Sequence, residues 1–193
     1  MNSALVVTNL QTDFFTEGKQ PIPNSEQILK PINKLIPSII KTSGMVIFVR
    51  DWHPPRSNFF RDLGEHCVAN SQGAMFPAKL EFPIGHAITL NNGLDQQEHK
   101  LSAFSATDGY FNLEHYLDKF ELKRVFLVGL SLENQIKATA LQAVEFGYEV
   151  YVVLDAVKAA SVNGFKETPE LLKKNGIKLV TTKEAVKLIG KKK

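Results

Sequence analysis

The chain has 193 residues, of which 44% are hydrophobic and 22% are charged, and it carries a net charge of +3. This length suits one domain with a buried core, and the composition excludes disorder, collagen and coiled coil as the main class. No apolar run approaches the ~18 residues of a membrane-spanning helix. The first residues lack the features of a signal peptide, and a single cysteine, Cys67, excludes an internal disulfide. We therefore expect one cytoplasmic domain over residues 1–193, without membrane partners.

The charge is distributed unevenly along the chain. Residues 158–193 contain ten lysines and three acidic residues, a net charge of +7, whereas the remainder carries −4. This pattern is typical of solvated helix faces and a basic tail. A nucleic-acid patch is the alternative, but the segment lacks interleaved aromatic residues and any nucleic-acid-binding motif. We expect no nucleic-acid partner.

In chain order, an apolar run over residues 4–9 predicts a first buried strand. Ser25 is predicted to cap a helix that ends near residues 43–44, and Pro31 and Pro37 predict a kink or break within it. Residues 45–50 form a second strand, and the irregular segment that follows contains one short strand over residues 87–90. The later predicted strands cover residues 124–129, 149–154 and 177–180, and the later helices cover residues 113–120, 134–146, 167–175 and 183–189.

Strands that alternate with helices predict an α/β fold, a single Rossmann-like domain with a mainly parallel sheet and helices on both faces. Reactive groups then gather at the carboxyl ends of the strands, which points to Asn9, Asp51 and the segment after Gly129. The first strand is followed by no glycine-rich phosphate motif, so we expect no nucleotide cofactor. Irregular segments as long as residues 51–98 are usually functional.

The densest cluster of reactive side chains is Asp51-Trp52-His53-Pro54. Asp51 and His53 are two residues apart at a strand end, so their side chains share a face. With His66 from the next loop they form a candidate site for a divalent metal, Zn²⁺ first, with Mn²⁺ and Fe²⁺ as alternatives. The other interpretation is an Asp–His ion pair with His66 on the surface.

These motifs resemble those of the isochorismatase-like hydrolases, and of the nicotinamidases in particular. The resemblance runs through most of the chain, in five segments at comparable spacing. They are Leu10-Gln11-Thr12-Asp13-Phe14, Asp51-Trp52-His53-Pro54, Gly64-Glu65-His66-Cys67-Val68, Lys100-Leu101-Ser102-Ala103-Phe104, and the strand and helix from Val128-Gly129 to Ala143. The resemblance implies the isochorismatase-type fold and metal ligands at Asp51, His53 and His66.

The catalytic positions of this family are only partly retained. Its amidases use an Asp, a Lys and a Cys whose thiolate attacks the amide carbonyl, while backbone N–H groups at a helix start stabilise the oxyanion. The motifs place Asn9 at the Asp position and Gln135 at the Cys position, so only Lys100 is retained. An amide side chain neither accepts the thiol proton nor acts as a nucleophile. Isochorismatases in this superfamily lack the cysteine but keep the Asp. Because Asn9 stands at the Asp position, the chain departs from this branch of the superfamily as well.

Other residues have two interpretations each. Asp13 could replace the lost acid, or it could cap a loop. Cys67 is expected to be a small buried hydrophobic residue and not a nucleophile. Phe14, Trp52 and Leu63 could line a pocket for a flat ring, or pack in the core. Leu63 falls where some nicotinamidases have an aromatic residue.

Three functional hypotheses follow. The first is a small-molecule-binding pseudoenzyme that keeps its metal ligands and takes a nicotinamide-like ligand. The second is a hydrolase of small amides or related compounds that uses metal-activated water with Lys100. The third is a protein-interaction subunit. Members of the family are often oligomeric, so a homo-oligomer is compatible with each of them.

Overall fold

The computed structural model describes residues 2–94 and 100–191, and it contains a six-stranded, entirely parallel sheet. The strand order is β3-β2-β1-β4-β5-β6, so the chain reverses its direction of travel between β1 and β4. The strands are β1 Ser3–Thr8, β2 Met45–Asp51, β3 Ala87–Asn92, β4 Arg124–Leu130, β5 Glu149–Lys158 and β6 Lys178–Val180. This arrangement confirms the predicted α/β fold.

The described residues contain six α-helices. They are α1 Leu29–Ile40, α2 Phe60–Leu63, α3 Leu113–Lys119, α4 Lys137–Glu145, α5 Val162–Lys174 and α6 Thr182–Gly190. Five of them pack on the two faces of the sheet, and the short α2 has no buried residue. None of the helices within the described residues is long and apolar enough to cross a membrane.

The core is divided by the sheet into two clusters. In β1 the side chains alternate, so Leu5 and Val7 join the cluster beneath α1 and α6, whereas Ala4 and Val6 join the cluster beneath α3, α4 and α5. All six residues of β1 are buried. A central parallel strand that is covered on both faces therefore reads as a continuous apolar run, which is why this strand is easy to predict.

The predicted start of the first helix was wrong. Ser25 does not cap it: Ser25 lies inside a 3₁₀ turn, Ser25–Ile28, and its hydroxyl has no hydrogen-bond partner among the described residues. The predicted break is also absent, because α1 runs through both prolines. Pro31 lies in the first turn, where its missing N–H is not needed. Pro37 removes one internal bond, and the buried apolar face of α1 outweighs that loss.

Two later helix boundaries also differ from the prediction. The helix predicted from residue 134 begins as a π-helix, Leu132–Ile136, and continues as α4. The helix α5 starts at Val162, five residues earlier than predicted, because the Ser161 hydroxyl caps it by accepting a hydrogen bond from the Gly164 N–H. A cap of this kind depends on one side-chain hydrogen bond at the start of the helix. The prediction rested on the periodic apolar pattern, which begins further along the chain than the cap.

The carboxyl ends of β1 and β4 approach each other closely. A Cβ atom on Gly129 would lie 2.1 Å from the Thr8 carbonyl oxygen, and Gly129 has a φ of +114°. Only glycine allows this backbone approach. It brings the residues after β1 and after β4 to the same side of one cavity.

Candidate metal site and adjoining cavity

Asp51, His53 and His66 come together at the carboxyl end of β2. Each offers one ligand atom, and these atoms all lie within 4.8 Å of one another. Asp51 is the last residue of β2. His53 is fixed by backbone hydrogen bonds to the following loop, in which its backbone N–H donates to the Cys67 carbonyl oxygen at 3.0 Å. All three side chains are buried. The structure thus brings the predicted metal ligands into one cluster.

Two amide side chains fix the position of Asp51. The Gln11 side chain bonds the Asp51 backbone on both sides, donating to its carbonyl at 2.6 Å and accepting from its N–H at 2.8 Å. The Asn9 amide donates to Asp51 Oδ2 at 2.8 Å. The other carboxylate oxygen, Oδ1, is buried and has no hydrogen-bond partner in the described part of the chain. Gln11 belongs to a motif noted in the sequence, but this clamp could not be predicted from it.

A buried carboxylate with one unsatisfied oxygen fits a bound cation. Burial raises the pKa of Asp51 above its ordinary range, although the nearby His66 and the bond from Asn9 act in the opposite direction. His66 Nδ1 lies 2.9 Å from the Gly64 carbonyl oxygen and 3.0 Å from the Gln20 side-chain nitrogen, so protein groups already surround this ring nitrogen. The other ring nitrogen of His66 is then available to a metal.

The ring of His53 is enclosed by residues that sequence analysis did not identify. The Phe60 ring lies 5.7 Å away, edge-on, and the Phe59 ring lies 5.9 Å away. Gly93 packs so closely that a Cβ atom there would lie 2.4 Å from the imidazole carbon Cε1. A glycine directly after β3 was the only trace of this contact in the sequence. The packing fixes the imidazole in one orientation.

A cavity of about 420 Å³ opens beside this cluster. The residues that line it come from the ends of β1, β2 and β4 and from the intervening loops. They include Asn9, Phe14, Gln20, Asp51, Leu63, His66, Leu101, Ser131, Asn134 and Gln135. Sequence analysis had selected four of these as catalytic or pocket residues and two, Asp51 and His66, as metal ligands. It missed Gln20, Ser131 and Asn134, which carry no recognisable motif.

Gln135 bonds the backbone where the chain leaves β4. Its carbonyl oxygen accepts from the Ser131 N–H at 3.1 Å and from the Ser131 hydroxyl at 3.4 Å. Gln135 and Asn9 both line the cavity, and each uses one end of its amide on a neighbouring protein group. The backbone N–H of Ser131 is therefore already bonded to Gln135.

Comparison with known proteins establishes the family. The model of the isochorismatase domain matches residues 3–184. The chain belongs to the isochorismatase family. Among solved structures it is similar to the pyrazinamidase of Pyrococcus horikoshii in complex with zinc, with 32% identity, a TM-score of 0.86, and coverage of 94% of this chain and 99% of that one.

Curated relatives include nicotinamidases from several organisms. The nicotinamidase of Saccharomyces cerevisiae is 25% identical and covers 88% of this chain and 92% of its own length. The nicotinamidase of Acinetobacter baylyi is 27% identical, with 84% of each chain covered. PnC1 from L. infantum, solved in complex with nicotinate, is 25% identical with a TM-score of 0.81, and 94% of this chain and 93% of that one are covered.

Of the catalytic and pocket residues that the family resemblance selected, two lie outside the cavity lining. Lys100 is exposed and lines two neighbouring cavities. Trp52 is half-buried against the core, and the Arg50 guanidinium lies over its ring at 3.7 Å from the ring centre. Phe14 and Leu63, by contrast, line the main cavity, although Leu63 is half exposed.

Asp13 and Cys67 are structural neighbours. The Asp13 carboxylate accepts from the Cys67 N–H at 2.7 Å and from the Lys19 N–H at 3.2 Å, which is the loop-capping interpretation. Burial, reinforced by the negative charges of Asp51 and Asp13, raises the pKa of the Cys67 thiol far above its ordinary value. A thiol in this state is not a nucleophile at neutral pH.

Proposed function

We propose that this chain binds a small nicotinamide-like ligand next to a divalent metal and does not hydrolyse amides through a cysteine nucleophile. The observation that carries the proposal is the pair of amides, Asn9 and Gln135, in a cavity that retains the metal-ligand cluster. The site is thus suited to binding, and it lacks the groups of the cysteine reaction.

The metal would be held by Asp51, His53 and His66. Two imidazoles and a carboxylate are a donor set that suits zinc, and the similar pyrazinamidase was solved with zinc. A zinc ion bound there would supply a Lewis acid that orients a ligand donor atom. The chain's own contribution is to fix the ligands, through Gln11 on Asp51 and through the Gly64 carbonyl on His66.

The ligand would be a flat ring with a short polar substituent. Phe14 lines the cavity and its ring lies 5.9 Å from that of His66, which leaves an aromatic face beside the metal cluster. A cavity of about 420 Å³ holds a molecule of this size. The relative from L. infantum was solved with nicotinate, which supports a ligand of the same class.

Three groups that a cysteine-dependent amide hydrolysis needs are absent or already occupied in the cavity. The Gln135 amide is no nucleophile, and the Asn9 amide does not take a proton. The Ser131 N–H, which lies at the start of the helical segment where the family stabilises an oxyanion, already donates to Gln135. Loss of a nucleophile costs on the order of 10⁶ in rate in other hydrolases.

The test is ammonia release from nicotinamide and pyrazinamide by the zinc-loaded protein. We expect no release from wild type, and release at least about a hundredfold above background from Asn9→Asp/Gln135→Cys. The matched control, Asn9→Asp/Gln142→Cys, places a thiol on the same helix but outside the main cavity and should stay silent.

An active wild type would overturn the proposal. It would favour the alternative hydrolase that works without a cysteine, and Lys100→Met would then show whether that residue takes part. Failure of nicotinamide and zinc to bind wild type in calorimetric titration would remove the binding function and leave a protein-interaction subunit.

A further inference from the structure

The two amides in the cavity have orientations fixed by their protein partners. The nitrogen of the Asn9 amide must face Asp51, because a carboxylate oxygen accepts, and this bond is 2.8 Å long. The oxygen of the Gln135 amide must face the Ser131 N–H, because that group donates. Asn9 is therefore left with a free acceptor, Oδ1, and Gln135 with a free donor, Nε2.

Neither remaining atom has a hydrogen-bond partner in the described chain. Asn9 bonds Asp51, and Gln135 bonds Ser131, and no other side-chain bond of either residue is present there. Asn9 is only 2% exposed, so a ligand in the cavity is the natural partner of its carbonyl oxygen. A polar atom left unmatched in such a place is unfavourable.

One acceptor and one donor match a primary carboxamide. Its N–H groups can donate to Asn9 Oδ1, and its carbonyl can accept from Gln135 Nε2. A carboxylate has two acceptors and no donor, so it leaves the Asn9 oxygen opposed by another oxygen.

The charges of the cavity act in the same direction. The only titratable side chains among its described lining residues are Asp51 and His66, both in the metal cluster. The lining includes neither lysine nor arginine within the described residues, and its other polar groups are Gln20, Ser131 and Asn134, which are neutral. The described lining therefore offers an acid no lysine or arginine to pair with.

We propose that Asn9 and Gln135 make this cavity selective for neutral primary carboxamides over the corresponding carboxylic acids. The inference rests on the proposed binding function and adds to it the class of ligand. It assigns a role to the two residues that differ from the cysteine amidases: they recognise the amide group that the active enzymes cleave.

The test compares two matched ligand pairs on the zinc-loaded wild type by calorimetric titration. The first pair is nicotinamide with nicotinate. The second pair is benzamide with benzoate, and neither of these two molecules has a ring nitrogen that could reach a metal. We expect each amide to bind at least tenfold more tightly than its acid, which corresponds to about 1.4 kcal/mol. An acid that binds as tightly as its amide, or more tightly, overturns the selectivity while the binding function stands. If none of the four ligands binds, the proposed function itself is wrong.

A variant at Gln135 tests the donor. Gln135→Met keeps the side-chain length and removes the amide, so the affinity for nicotinamide should fall about tenfold while that for nicotinate stays within twofold. Gln142→Met on the same helix, outside the main cavity, is the control and should retain the wild-type preference. A Gln135→Met protein that keeps the full preference contradicts the proposal.

A measurement on wild type alone guards against a variant that fails to fold. The side-chain N–H resonances of Gln135 should shift when nicotinamide is added, and the absence of any shift at saturation would overturn the assigned contact.

Discussion

Asp13 shows how one buried acid can hold a functional loop in place. Its two carboxylate oxygens accept from the backbone N–H groups of Cys67 and Lys19, and Gly73 packs directly against the same carboxylate. The bond to Cys67 lies one residue after the metal-ligand candidate His66. Asp13 therefore acts on the site through backbone position, and it does not take the place of a catalytic acid.

Replacing this acid tests its structural role. Asp13→Ala leaves the buried Cys67 N–H without a partner, so we expect the free energy of unfolding to fall by about 2–3 kcal/mol in urea titrations. The control is Asp62→Ala, an exposed acid on α2, which should change stability by less than about 0.5 kcal/mol. Equal effects of the two substitutions would contradict the assigned role.

At this scale the sequence was informative only where residue type carries chemistry. Asp51, His53 and His66 could be selected because their spacing and motif both pointed to a metal. The bond between Gln135 and Ser131 could not be predicted, since it depends on side-chain conformation at a strand exit. Trp52 was selected as a pocket residue from its motif, yet its ring packs under Arg50.

At the scale of elements, Glu149 joins three strands at the amino-terminal edge of the sheet. It accepts from Arg124 of β4 at 2.9 Å, from Lys178 of β6 at 2.6 Å, and from the Tyr151 hydroxyl at 2.8 Å. Arg124 also donates to the Leu188 carbonyl, which ties α6 to the same point. The edge strand β6 has only three residues and depends on such contacts.

This network predicts a pH dependence of stability. Burial alone would raise the pKa of Glu149, but the hydrogen bonds from Lys178, Arg124 and Tyr151 outweigh it and lower the pKa to about 2. A lowered pKa gives stability that is present above the ordinary value of 4.5 and is lost as the pH falls toward 2. Glu149→Gln should therefore cost about 1–2 kcal/mol at pH 7 and progressively less below pH 4.5 in chemical denaturation.

The control for this substitution is Glu170→Gln, which removes an exposed pair with Lys173 on α5. Its stability should stay close to that of wild type across the same pH range, because an exposed ion pair contributes little. A difference between Glu149→Gln and wild type that stays constant across the pH range would show that the charge of Glu149 is not the cause.

The elements themselves were predicted with unequal success for physical reasons. Central strands such as β1 are buried on both faces and appear as continuous apolar runs. The π-helix that precedes α4 follows from the way the chain leaves β4, and no apolar period encodes it. The prolines of α1 were overvalued, because its apolar face against the sheet outweighs one lost hydrogen bond.

For the whole molecule, the parallel order of the strands decides where chemistry is located. The carboxyl ends of β1, β2 and β4 converge on one cavity because these three strands are neighbours in the sheet. The alternation of strands and helices predicted a mainly parallel sheet, whereas the order of the strands required the structure. The side-chain pairs that close the cavity required the structure.

Zinc should stabilise the molecule as a whole. At a concentration a hundredfold above its dissociation constant, a ligand specific for the folded state adds about 2.7 kcal/mol. For a chain of this size that corresponds to a rise in Tm of about 5–10 °C. We expect this rise in scanning calorimetry for wild type and for His86→Ala, an exposed histidine, but not for His66→Ala. The same rise in His66→Ala would place the zinc elsewhere.

The backbone at residue 9 limits how this position can change during evolution. Asn9 has a φ of +49°, a conformation that asparagine, aspartate and glycine adopt far more readily than other residues. Of these three, only asparagine can donate a side-chain hydrogen bond to the ionised carboxylate of Asp51. Few substitutions at this position are therefore tolerated, and a lineage that leaves aspartate there has asparagine as its least disruptive successor.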